Sequence, residues 1–302
     1  MAGDELELIE WLRRRQGSHP RVSVGIGDDM AVLRSHADRM LVSSDLLLDG
    51  VHFDSTRHTR FQIGRKAVAR TMSDCAAMAV CPMAITFSVA IPTSLDLNAV
   101  HELFDGVFAG AAEFDVPLVG GDTARWDHPL AMDVNVIAEP FTRIEPKTRC
   151  GARVGDQILV TGELGGSLLG RHLQFTPRIV EARLLAERLG SDLHAMIDVS
   201  DGLSLDLWRI CEASGVGAVL VEQRLLDVVS DDANRMAALD LRTPLDHVLG
   251  DGEDYELLVA VAPQAETTGL PLRLIGHVVE RGLALLRING SVEALTPRGF
   301  VH

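Results

Sequence analysis

The chain has 302 residues, 47% of them apolar, which is enough for two domains with a sizeable core and excludes wholesale disorder. It carries 43 Asp and Glu against 28 Lys and Arg, a formal net charge of −15, which argues against a nucleic-acid-binding surface and requires an anionic ligand to come with a cation. No apolar run approaches the ~18 residues of a membrane helix, and no signal peptide precedes the four cysteines, so a soluble cytoplasmic protein with reduced thiols and no membrane partner is expected.

Residues 4–16 place apolar side chains at 6, 8, 9, 11 and 12, with acids before bases, and predict an amphipathic helix. A glycine-marked turn, Gly25-Ile26-Gly27, leads to Asp28-Asp29, and a strand (MLVSSD) ends at Asp45. A helix over 61–80, a strand over 83–91 and a helix over 95–114 follow. The run VPLV is then expected to stop at Gly120-Gly121-Asp122, before the alternating strand LAMDVNVIA. Prolines, charges and a turn over 140–156 mark a domain boundary, giving domains at 1–148 and 149–302. Beyond it come a strand (QILVTG), a glycine-rich turn (GELGGS), helices over 166–174 and 178–190, and AMIDVSD. A helix over 203–214, a strand over 217–222 and several C-terminal strands complete two mixed α/β halves.

Several apolar runs end in aspartate: VSVGIG at Asp28-Asp29, MLVSS at Asp45, VPLVGG at Asp122, and AMIDVS at Asp201 with Asp198 inside it. Asp74 lies in a mostly apolar helix. Taken singly, these residues read as helix caps and turn formers, Ser200 among them. As a set they are harder to explain that way, because two carboxylates ~4 Å apart repel by about 4 kcal/mol at an effective dielectric of 20. If the loops converge, divalent cations belong among them, and an all-oxygen donor set favours Mg²⁺. The glycine runs at 120–123 and 162–167 supply either phosphate-binding N–H groups or plain tight turns. Familiar alternatives are absent. GxGxxG fails at Met30, no GxxxxGK[ST] occurs, and no two of the 11 histidines are four apart. His52, alone in DGVHF, reads by itself as structural.

The ordered set GIGDD (25–29), SSDLLLDGVHF (43–53), GRKAVARTMSDCAAMA (64–79), GGDT (120–123), RCGARVGD (149–156), DVSDGLSLDL (198–207), ASGVGA (213–218) and GEDYEL (252–257) resembles the thiamine-monophosphate kinase family, of the superfamily that also holds aminoimidazole ribonucleotide synthetase. The resemblance implies that superfamily's two-domain mixed α/β fold, with the N-terminal domain forming a barrel across a homodimer. It implies ATP-dependent phosphorylation of thiamine monophosphate to thiamine diphosphate, with several Mg²⁺ ions and ATP as co-substrate. Carried over motif by motif, Asp29, Ser43, Ser44, Asp45, Asp74, Asp122, Asp198 and Asp201 would hold magnesium. Gly121, Asp122, Arg149 and Ser200 would contact ATP, while His52, Glu253 and Phe300 would contact the substrate. No side-chain base is expected, because the accepting phosphate is already an anionic nucleophile. The alternatives are another ATP-using member of the superfamily acting on a different phosphorylated molecule, and a non-catalytic regulator that binds ATP and Mg²⁺.

Overall fold

Three helices, two sheets and the positions of a few glycines set up the first half of the molecule. The computed structural model describes residues 2–27, 30–35 and 37–300. The chain divides into two units, one made of Met1–Met72 and Cys81–Pro140, the other of Ser73–Val80 and Phe141–His302.

The first unit holds α1 (Ala2–Gln16), a hairpin of β1 (Val22–Val24) and β2 (Val32–Leu33), and a four-stranded sheet. That sheet orders β3 (Leu41–Leu48), β6 (Ala131–Pro140), β4 (Val80–Pro92) and β5 (Leu118–Trp126) side by side. β3 and β6 are antiparallel, whereas β4 and β5 are parallel and joined by α3 (Leu97–Ala112), the crossover that parallel pairing requires. α2 (Arg60–Ala77) precedes β4. In β6, buried and half-exposed residues alternate, as expected for a sheet covered on one face. Two reciprocal glycines let α2 and α3 touch backbone to backbone: a Cβ on Gly64 would collide with the Leu103 carbonyl oxygen, and one on Gly106 with that of Phe61. Asp96 caps α3 by accepting the Ala99 N–H at 2.8 Å.

The second unit is built on a seven-stranded sheet in the order β13 (Val292–Ala294), β12 (Leu283–Leu286), β9 (Gly217–Val221), β11 (Arg273–Val279), β7 (Gln157–Val160), β10 (Leu257–Val261), β8 (Leu193–Asp198). β10 is buried along its whole length because apolar clusters cover both faces. Leu258 and Ala260 point into one cluster, under α5 (Leu203–Ser214) and α8 (Pro244–Gly250). Leu257, Val259 and Val261 point into the other, under α4 (Ile179–Leu189), where Ala76 and Ala79 also pack. Short helices α6 (Glu222–Leu225) and α7 (Asp231–Ala237) fill the connections.

Two expectations are corrected. The stretch 166–174 is no α-helix but two single 3₁₀ turns, Ser167–Leu169 and Arg171–Leu173, divided by Gly170 at φ 140°. The run expected to stop at Gly120-Gly121-Asp122 continues as β5 to Trp126, with Gly121 pressed so closely on β4 that a Cβ would overlap the Phe87 carbonyl. No helix among the described residues is long and apolar enough to cross a membrane.

Candidate active site

In the first unit three of the expected ligands, Ser43, Ser44 and Asp45, lie on β3, whereas Asp122 lies on β5 at the opposite edge of the sheet. Side chains alternate along a strand, and the half-buried, exposed, half-buried sequence of Ser43, Ser44 and Asp45 puts the first and third on one face and Ser44 on the other. Asp45 Oδ1 lies 3.2 Å from Arg70 Nε on α2, and both side chains are about 15% exposed (14% and 15%). Ser44 Oγ instead donates to Asp133 Oδ1 at 2.6 Å, and the Asn135 amide donates to Asp133 Oδ2 at 2.6 Å. The chain then turns through His52, whose Nδ1 accepts the Leu48 N–H at 3.0 Å. That bond leaves the ring proton on Nε2. The fully buried Lys66 donates to the His52 carbonyl, tying this turn to α2.

Asp122 is exposed on β5, and its Oδ1 accepts the Thr123 N–H at 2.8 Å. Gly120, Gly121, Asp122 and Thr123 form one wall of a cavity of about 670 Å³, within the range of small-molecule sites. Its other walls include Phe87, Phe104 and Leu118 and residues of α1 and the hairpin. Asp29 lies outside the described residues.

In the second unit, β8 ends at Asp198, whose Oδ2 accepts from Ser73 Oγ at 2.7 Å, and Asp74 is the next residue along α2. The turn after Asp198 joins three segments through backbone hydrogen bonds. The Ser200 carbonyl accepts the Glu253 N–H at 2.7 Å and the Asp201 carbonyl the Phe300 N–H at 2.9 Å. Ser200, Asp201, Glu253 and Phe300 are thereby brought together. Asp201 is also bound by Arg209. Arg149 is exposed, and its carbonyl accepts from Ser214 Oγ at 3.3 Å.

Glu253 and Tyr255 both adopt left-handed backbone conformations, φ 54° and 53°, which cost non-glycine residues free energy and concentrate at functional sites. Surrounding contacts hold them there. Glu253 Oε2 lies 2.9 Å from His172 Nδ1, its carbonyl accepts from Ser167 Oγ at 2.6 Å, and the Tyr255 ring stacks on Phe175 with centroids 3.9 Å apart. Between them Asp254 is buried and accepts the Gly165 N–H with both oxygens, at 3.0 and 2.9 Å, and Arg171 Nη2 at 2.7 Å. Burial pushes the Asp254 carboxyl up to about 8, against the opposing pull of Arg171 and the Gly165 N–H. Glu256 is held by Thr161 at 2.6 Å and Arg178 at 2.6 Å.

These bonds decide the role of the 162–167 glycine run. The Leu164 N–H goes to the Val228 carbonyl, that of Gly165 to Asp254, and that of Gly166 to Asp251 at 2.9 Å. With those donors spent on the protein itself, Leu164, Gly165 and Gly166 form a structural turn. Among the described residues, no three His, Cys, Asp or Glu side chains form one metal-binding group. The sequence reading missed Arg70, Ser73, Asp206, Arg209 and His172. The one local signal was an acid early in the helix after Gly202 with Arg three residues on.

The chain matches the family model "AIR synthase related protein, N-terminal domain" over residues 27–139 and its C-terminal counterpart over 153–286. A thiamine-monophosphate kinase of Rhodopirellula baltica is 39% identical, over 99% of this chain and 97% of its own. The crystal structure of thiamine-monophosphate kinase from Stenotrophomonas maltophilia superposes with a TM-score of 0.78 at 31% identity, covering 95% of this chain and 96% of that one. A structure described as AaThiL complexed with AMPPCP and TMP gives a TM-score of 0.76 at 26% identity, covering 98% and 96%.

Proposed function

The chain belongs to the thiamine-monophosphate kinase family of AIR synthase-related proteins, and from that premise we propose that it transfers the γ-phosphoryl group of ATP to thiamine monophosphate. An oxygen of the substrate phosphate attacks the γ-phosphorus, the bond to the β,γ-bridging oxygen breaks, and thiamine diphosphate and ADP leave. The attacking phosphate has its second pKa at about 6 and needs no side-chain base. Rate acceleration then comes from positioning two polyanions and stabilising charge on the transferring group.

The oxygen donors suit a hard divalent cation: Ser43 and Asp45 share one face of β3, and Asp198 ends β8. Mg²⁺ ions would be held by Asp29, Ser43, Asp45, Asp74, Asp122, Asp198 and Asp201, whereas the hydroxyl of Ser44, expected as a further ligand, is turned to Asp133 on the other face of β3. When bound, they neutralise phosphate charge that a chain of net charge −15 would otherwise repel. Gly121 and Asp122, on the wall of the 670 Å³ cavity, together with Arg149 and Ser200, contact the nucleotide. His52 contacts the substrate. Glu253 opposes the cationic ring system of thiamine, and Phe300, 44% exposed, is available to stack on it. Val42 and Leu46 are exposed on the outer face of β3 and support a homodimer that closes a barrel. We place the enzyme in the cytoplasm, where ATP is supplied.

The observation that carries this reading is the joining of Ser200, Asp201, Glu253 and Phe300 by two backbone hydrogen bonds into one locus. Incubation with ATP, Mg²⁺ and thiamine monophosphate should yield thiamine diphosphate by chromatography. Asp45→Asn and Asp74→Asn should lower turnover by roughly 10²-fold or more, the scale of lost electrostatic stabilisation. A wild-type protein that binds ATP yet forms no diphosphate would overturn the assignment.

A further inference from the structure

Three consecutive N–H groups, those of Ser200, Asp201 and Gly202, converge on one oxygen of Asp206, at 3.0, 3.0 and 3.1 Å. The other oxygen takes Arg209 Nη1 at 2.6 Å, and the second arm of the same guanidinium reaches the Asp201 carboxylate. Asp206 is fully buried. A concavity of successive N–H groups is a ready anion site, and here it is filled by the chain's own carboxylate.

This is more than a helix cap. A capping side chain serves donors of the first turn from the residue at the helix entrance or three residues in. Asp206 is the fourth residue of α5, and two of its three backbone partners, Ser200 and Asp201, precede the entrance at Gly202. It therefore shapes the loop itself. With the N–H groups turned inward, the carbonyls of Ser200 and Asp201 face the other way and take the N–H groups of Glu253 and Phe300. One buried carboxylate thus sets the frame on which the loop's side chains and the two substrate-contacting segments hang.

We propose that Asp206 is a positioning residue for the phosphoryl transfer, fixing the 198–202 loop so that Asp198, Ser200 and Asp201 meet the metal-bound nucleotide, with Arg209 as its latch. The inference rests on the kinase reading above. Partners that orient ligating residues typically contribute 10–100-fold to metal affinity or activity.

The test uses the full chain and a non-hydrolysable ATP analogue with Mg²⁺, read by calorimetry, alongside turnover of thiamine monophosphate. Asp206→Asn keeps one acceptor for the N–H groups but sets its amide donors against Arg209. It should bind the analogue roughly tenfold more weakly and need a higher Mg²⁺ concentration for half-maximal rate, with native near-ultraviolet dichroism. Arg209→Gln in that background supplies an acceptor for the new amide and should recover part of the loss. A folded Asp206→Asn protein within twofold of wild type in analogue binding, Mg²⁺ dependence and turnover overturns the proposal. If Asp206→Asn does not fold, Arg209→Met decides: weakened analogue binding with a native spectrum supports the latch, and wild-type binding overturns it. A wild type that neither binds the analogue nor forms thiamine diphosphate overturns the kinase reading, and this proposal with it.

Discussion

Asp254 shows how a motif that looks uniform divides its labour. In GEDYEL, Glu253 turns toward His172, while Asp254 and Glu256 are buried against Arg171 and Arg178. Burial raises the Asp254 carboxyl from the usual 3.8 to about 8, so the folded chain holds a proton between about pH 4 and 8 that the unfolded chain releases. Its contribution to stability is complete below pH 4 and is lost as pH rises toward 8. Denaturant titrations at pH 5 and pH 8 should therefore show wild type losing ground to Asp254→Asn at the higher pH. A difference that stays level or reverses would mean that Arg171 keeps the carboxylate ionised throughout. The sequence exposed the acids that close apolar runs, because a carboxylate there demands an explanation on its own. It largely hid Asp206, three of whose partners are backbone groups that any sequence possesses and which only Arg209, three residues on, could have marked.

At the scale of elements, the alternating strands were legible and the glycine-rich segments were not. Glycine marks a turn, a close approach or an interrupted helix with the same letter. Gly121 is a close approach inside a strand, Gly165 a turn whose N–H is already used, and Gly170 a break between two 3₁₀ turns. Alternation also bears on the ligand set, since three consecutive residues of β3 cannot all aim side chains at one face. Close approach has an energetic corollary on α2 and α3. Gly106→Ala places a methyl group against the Phe61 carbonyl and should cost roughly 1–3 kcal/mol, the range for overpacked interiors. Because α2 also carries Arg70 and Asp74, the variant should lose turnover at temperatures where circular dichroism still reports a folded protein. Unchanged melting and unchanged turnover would show that the two helices can separate freely.

At the scale of the whole molecule, family membership and the two-domain fold followed from the order of short motifs, each modest alone. Subunit association depends on a surface property that motifs do not encode. Val42 and Leu46 are 71% and 55% exposed on the outer face of β3, a pair of apolar side chains that an isolated sheet would leave in water. Val42→Asp with Leu46→Asp should convert a dimer to a monomer in sedimentation velocity, and a wild type already monomeric would remove the barrel from the proposal.

The two units are interleaved along the chain, because Ser73–Val80 belongs with the C-terminal one although it lies within the N-terminal half. A fragment beginning at residue 141 would lack Ala76 and Ala79 from an apolar cluster and Ser73 from Asp198. A single cut at residue 141 therefore takes from the second unit a part of its own packing that residues 73–80 supply.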